Sequence, residues 1–230
     1  MVARTTASLA REAQPAVRRR QILRAASRAF RERGFHATGM RDVAAACGMT
    51  VGNLYYYFEN KQDLLAFCQE DAVQRLLALH QWVAARGLAA PEHLYLLVVG
   101  HTLCLNEGTP GSLAHLEVEG LSPQSRERIV AQRDRYERAL RAVIRAGNKD
   151  GDLRAADAKV ATLAILGAVN WTVKWFRTDG RKTALAIGEQ FAEQLVQGLL
   201  APGRSLQRPD VTIPAELIND ETETKMEVRG

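Results

Sequence analysis

The stretch GFHATGMRDVAAACGMTVGNLYYYFENKQDLL, residues 34–65, decides the reading of the chain. Met40, Val43, Ala44 and Cys47 fall at i, i+3, i+4 and i+7, one face of a short helix over 40–47. Thr38 or Gly39 is placed to cap it, and Gly48 stops it. Thr50 then caps a second short helix over 51–57. Two short helices joined by a tight glycine-containing turn make a helix-turn-helix. Small Ala44 sits where the helices cross, and Met49 and Leu54 face inward. Arg41, Thr50, Val51, Gly52, Asn53, Tyr55 and Tyr56 are left for a DNA groove. Gly52 permits close approach of the backbone to DNA. The run Tyr55-Tyr56-Tyr57-Phe58 offers hydroxyls to phosphates on a rigid apolar body. Lys61 begins the next helix, beside an N-terminus suited to phosphate.

Outward from this motif, the charge distribution agrees. The chain has 230 residues and a net charge of +5. Residues 1–61 hold 11 Lys/Arg against 4 Asp/Glu, so the remainder is slightly acidic. A basic module on a near-neutral body is the footprint of a polyanion binder. The hydrophobic share of 47% suffices for a core, and the charged share of 25% excludes bulk disorder. Cys47, Cys68 and Cys104 form no CxxC pair, which fits a reducing compartment. No secretory signal or membrane span is legible, so a cytoplasmic protein is expected.

Helical periodicity runs almost throughout, and no hairpin signal interrupts it. Residues 16–33 place Ile22, Leu23, Ala26, Ala29 and Phe30 on one side of a helix that Gly34 ends. Asn60 is placed to cap a helix to about 85. Residues 92–105 are apolar on nearly every side, as in a helix buried all round. Further helices are expected near 113–118 and over 122–148, 156–176 and 182–200. The expected class is all-α, with four regions: a flexible basic arm, 1–16; the helix-turn-helix domain, 17–61; a helical ligand-binding and dimerisation domain, 62–201; and a disordered tail, 202–230.

The motif over residues 34–65 resembles the DNA-binding signature of TetR-family transcriptional regulators. The resemblance covers about a seventh of the chain without a gap. It implies that Arg41, Val51, Gly52, Asn53 and Tyr55 approach bases, and that Thr38, Tyr56, Tyr57 and Lys61 hold phosphates. Gly39 departs from the usual Ser or Thr. Val51 stands where many members carry a long polar side chain, which leaves it at most a thymine methyl to touch.

The resemblance also implies a ligand pocket and a homodimer interface in the C-terminal helices. Small Ala164, Gly167 and Ala168 permit close helix approach, and Phe191, Leu195 and Leu199 form an apolar stripe. His101 and Cys104, polar groups in an apolar helix, are candidate ligand contacts. The run NWTVKWFRTDGRK, residues 170–182, resembles a feature of TetR-family repressors of steroid and fatty or aromatic acid breakdown. Several of those answer to acyl-CoA thioesters. Asn170, Trp171, Trp175 and Arg177 are therefore candidate effector contacts, with Arg181 or Lys182 for phosphates.

No HExxH, GxSxG or P-loop is present, and no zinc spacing emerges among His36, His80, His93, His101 and His115. The chain is expected to be no enzyme and to need no cofactor. The expected function is a repressor that binds a pseudo-palindromic operator as a homodimer. A small hydrophobic effector, an acyl-CoA thioester in the sharpest form, would release it through the helix over 61–85. The rival reading is a nonspecific architectural DNA-binding protein, which the apolar body disfavours.

Overall fold

The computed structural model describes residues 3–107 and 119–218, without side chains at 3–16 and 31. Its elements are α1 (Ala3–Arg33), α2 (Met40–Ala46), α3 (Val51–Tyr57), α4 (Lys61–Ala84), α5 (Ala90–Asn106), α6 (Pro123–Asp150), α7 (Ala158–Trp175), α8 (Ala184–Gln197) and α9 (Ala215–Ile218). The all-α expectation holds, and no strand forms among the described residues. The helix expected near 113–118 lies outside them.

Two compact units emerge, Met1–Gln69 with Pro110–Arg126, and Glu70–Thr109 with Glu127–Gly230. In unit 1, Ile22, Leu23, Ala26 and Phe30 of α1 are buried with Val43, Ala44 and Leu54. Gly34 ends α1 in the left-handed region, φ 83°. The helix begins at Ala3, not near residue 16 as expected of a flexible arm. Alanine is the commonest residue of that stretch and sustains a helix without an apolar stripe, although Pro15 donates no backbone hydrogen bond within it. Residues 119–122 also belong to unit 1. A Cβ on Gly120 would lie 2.5 Å from the Phe35 ring, so only glycine lets this segment lie so close.

In unit 2, α5 is the central helix, buried at every position from Leu94 to Asn106. α8 crosses it closely at Gly188, where a Cβ would stand 3.2 Å from the Val99 backbone. Asp157 caps α7 through the amides of Lys159 and Val160, and Thr183 caps α8 through Ala186 N.

The tail expectation is corrected for residues 202–218, and residues 219–230 are outside the described ones. Ile213 and Ile218 are buried, with Leu206, Val211 and Leu217 packed on the same core. The strap follows α5. Gln207 N donates to Glu92 Oε1 (3.1 Å), Ile213 reaches Gly100, and the Cys104 thiol donates to Leu217 O (3.3 Å). Arg204 pairs with Asp152, and Arg208 with Glu193. Sequence periodicity misses this segment because it is mostly irregular, so its apolar residues follow no helical or strand repeat.

Candidate DNA-binding and effector sites

The helix-turn-helix is built as its residues dictate. Asp42 Oδ2 accepts from Gly39 N (2.7 Å), so the acid in the first turn replaces the cap that Gly39 lacks. Gly48 takes φ 62°, and Met49 N closes the turn on Ala44 O (3.0 Å). Thr50 Oγ1 accepts from Asn53 N (3.2 Å), which fixes the start of α3. Leu54 anchors α3 in the core at 0% exposure. Arg41, Thr50, Gly52, Asn53, Tyr55 and Tyr56 are exposed, and Val51 and Tyr57 are half-buried. Tyr56 is 82% exposed and meets Tyr57 edge to face, ring centres 5.2 Å apart. A Cβ on Gly52 would meet no atom within 4 Å, so nothing inside unit 1 requires glycine there.

Two residues expected at phosphates, Thr38 and Lys61, have partners within unit 1. Thr38 is fully buried, and its hydroxyl donates to Gly34 O (2.8 Å) and Ala29 O (3.2 Å). It fastens the α1–α2 turn to the end of α1. Lys61 Nζ donates to Phe35 O (2.8 Å) and Thr38 O (3.0 Å) and lies 4.3 Å above the Phe35 ring centre. Turn carbonyls hold the ammonium by charge-assisted hydrogen bonds, and Phe35 O also accepts from Thr38 N (3.3 Å). The sequence shows a lysine beside a helix N-terminus but not the carbonyls that claim it.

The six effector candidates do not converge on one site. His101 is buried, with Nδ1 3.3 Å from the Tyr136 hydroxyl. Its Nε2 and the Asn170 Oδ1 are enclosed without a partner in hydrogen-bond geometry. Burial holds His101 down at about 4, so its imidazole is neutral at neutral pH. Burial raises Cys104 to about 12 and also raises Tyr136. Cys104 is thus an inert thiol under the strap. Tyr136, which the sequence reading passed over, is the polar partner in this core.

Trp171 and Trp175 are instead 61% and 45% exposed on α7. Trp175 joins Phe176, Arg177, Arg181, Lys182 and Phe191 around an open cleft of about 780 Å³ where α7 turns into α8. Trp175 and Phe191 meet edge to face with centres 6.3 Å apart. Arg177 pairs with Asp179 (3.0 Å) in full solvent, and Lys182 Nζ donates to Gln190 Oε1.

Of the dimerisation candidates, Ala164 and Gly167 are exposed and Ala168 is half-buried. With Val160, Leu163, Trp171 and Trp175 they form an exposed apolar stripe along α7. Phe191, Leu195 and Leu199 are half-buried and pack against the core of unit 2. A Cβ on Gly167 would meet nothing within 4 Å.

Known proteins share both units. Residues 22–67 match "Bacterial regulatory proteins, tetR family", and residues 87–199 match "Tetracyclin repressor-like, C-terminal domain". A TetR family transcriptional regulator of Thermus thermophilus, PfmR, is 31% identical with a TM-score of 0.71. The match covers 76% of this chain and 97% of that one. This chain belongs to the TetR family of transcriptional regulators. The HTH-type transcriptional repressor KstR2 of Rhodococcus jostii is 27% identical over 80% of this chain and 92% of its own. AibR, solved in complex with isovaleryl coenzyme A and operator DNA, is 30% identical with a TM-score of 0.65, over 80% of this chain and 98% of that one. No helix among the described residues of this TetR-family chain is long and apolar enough to cross a membrane.

Proposed function

We propose that this regulator is a transcriptional repressor that binds a pseudo-palindromic operator as a homodimer and is released by an acyl-CoA thioester. On the DNA side, Arg41, Thr50, Val51, Gly52, Asn53 and Tyr55 face bases, and Tyr56 and Tyr57 face phosphates. The free surface of Gly52 supports this, because no neighbour within the unit needs a glycine there and the missing Cβ leaves room for a DNA backbone. Two copies are needed to read half-sites about one helical turn apart. The exposed α7 stripe, with Gly167 at its centre, supports pairing of α7 with the same helix of a second copy.

The observation that carries the effector reading is the cleft at the α7–α8 turn. Tryptophan and phenylalanine rings stand there with Arg177, Arg181 and Lys182. Rings suit an adenine or acyl chain, and guanidinium and ammonium groups suit the phosphates of coenzyme A. AibR, a relative, was solved in complex with isovaleryl coenzyme A and operator DNA, which supports a coenzyme A thioester as the ligand class. Both α4 and α6 contribute residues to each compact unit. Effector binding is relayed through α4, the helix over 61–84, and shifts the DNA-binding unit. The coupling is reciprocal, so operator DNA weakens effector binding.

Thermal unfolding against matched thioesters and free acids tests the effector. A ligand at 100 times its dissociation constant stabilises by about 2.7 kcal/mol. Stabilisation by a thioester but not by its acid supports the reading. Stabilisation by the free acid alone overturns the coenzyme A part of it.

A further inference from the structure

A second, unrelated concavity lies in unit 2 where the end of α4, the start of α5 and the end of α6 meet. It has a volume of about 370 Å³. His80 of α4 and His93 of α5 stand beside each other in its lining, ring centres 5.5 Å apart and planes inclined by 36°. His80 Nδ1 and His93 Nε2 are both shut off from solvent, and neither has a hydrogen-bond partner. Two enclosed imidazole nitrogens without partners, one from each helix, are an unusual pair to leave unsatisfied.

The surroundings say what would satisfy them. The α6 wall of the cleft is Ala139, Ala142 and Val143, which offer no side-chain hydrogen bond. Asp150 and Asp152 are also in the lining; Asp152 is paired with Arg204, which leaves Asp150 to favour a cation over an anion. Burial lowers the pKa of both histidines, His93 to about 4, so both rings are neutral at neutral pH and carry a lone pair. Two imidazoles on one tetrahedral ion, with metal–nitrogen bonds of about 2.0–2.1 Å, have ring centres roughly 5–6 Å apart. The observed spacing lies in that window.

We propose that His80 and His93 form a two-imidazole site for a divalent transition-metal ion of the zinc class. Imidazole donors select Zn²⁺, Ni²⁺ or Cu²⁺ over Mg²⁺ and Ca²⁺. No group of three His, Cys, Asp or Glu able to hold a metal exists among the described residues, so water completes the sphere. The site is accordingly reversible, an ion staple between α4 and α5, and not a permanent cage.

The test uses the full chain without an affinity tag, stripped of metal and titrated with Co²⁺ by visible absorption and Zn²⁺ by indicator competition. One equivalent per chain is expected. His80→Gln and His93→Gln should each weaken binding at least tenfold, while His36→Gln leaves it unchanged. Melting curves in chelator establish that each variant is folded. Should either variant fail to fold, long-range ¹H–¹⁵N spectra of the wild-type imidazoles decide. His80 Nδ1 and His93 Nε2 should shift on Zn²⁺ addition. Absence of binding, binding retained by both variants, or unshifted nitrogens would overturn the site.

Discussion

The Lys61 ammonium lies 4.3 Å above the centre of the Phe35 ring and donates to the Phe35 carbonyl at 2.8 Å. One side chain thus satisfies the carbonyls of the α1–α2 turn and covers an aromatic ring of the core. Gly120 also packs against that ring, which a Cβ on Gly120 would approach to 2.5 Å. The phenylalanine is therefore a joint of the DNA-binding unit, and the lysine is its clamp.

Lys61→Met should then lower stability by about 1–3 kcal/mol, the loss of charge-assisted hydrogen bonds to the part-buried turn carbonyls. Denaturant melts measure this. A lysine on a phosphate would instead reduce the salt slope of DNA binding by roughly one. The slope is predicted to stay as it is.

Gly52→Ala separates folding from recognition. Alanine is the better helix former and meets nothing in the free protein, so stability should rise by about 0.5–1 kcal/mol. Operator affinity should fall by roughly tenfold or more, a loss of about 1.4 kcal/mol or more. A stabilised variant with unchanged DNA binding would remove Gly52 from the interface.

Gly167→Arg addresses the α7 stripe. Its site is open in the single chain, so the helical content should survive. Sedimentation velocity should show a dimer for the wild type and a monomer for the variant at the same concentration. A dimer in both would move the interface elsewhere.

The C-terminal strap is expected to protect Cys104. Deleting residues 203–230 should make one more thiol titrate with a chromogenic disulfide, since Leu217 and its neighbours cover the buried sulfur. Ile213→Ala, a milder change where the same strap meets Gly100, should cost about 2–5 kcal/mol. Full thiol protection in the truncated chain would contradict the packing.

Local physics explains what could be read in advance. Gly34, Gly48, Thr50 and Asn60 act within a few residues of themselves, and each caps or turns the chain as its type requires. The apolar α5 announces its burial from either side. Thr38 and Lys61 could not be read this way, because the carbonyls that hold them depend on how the α1–α2 turn closes. Tyr136 lies 35 positions from His101, and only tertiary packing pairs them. The strap carries its apolar residues at irregular intervals, so its anchoring on α5 has no signature in the sequence. Trp171 and Trp175 were legible as a cluster, but their exposure on α7 was not.

The central claim is a DNA-binding regulator that a thioester releases. Its most direct measurement is fluorescence anisotropy of a labelled duplex from the region upstream of the protein's own gene, titrated with and without an acyl-CoA. The account predicts a saturating complex with an even number of chains, tighter than on random duplex and dissociated by the thioester but not by its free acid. Binding no tighter than on random DNA, or a specific complex that no thioester disturbs, would contradict it.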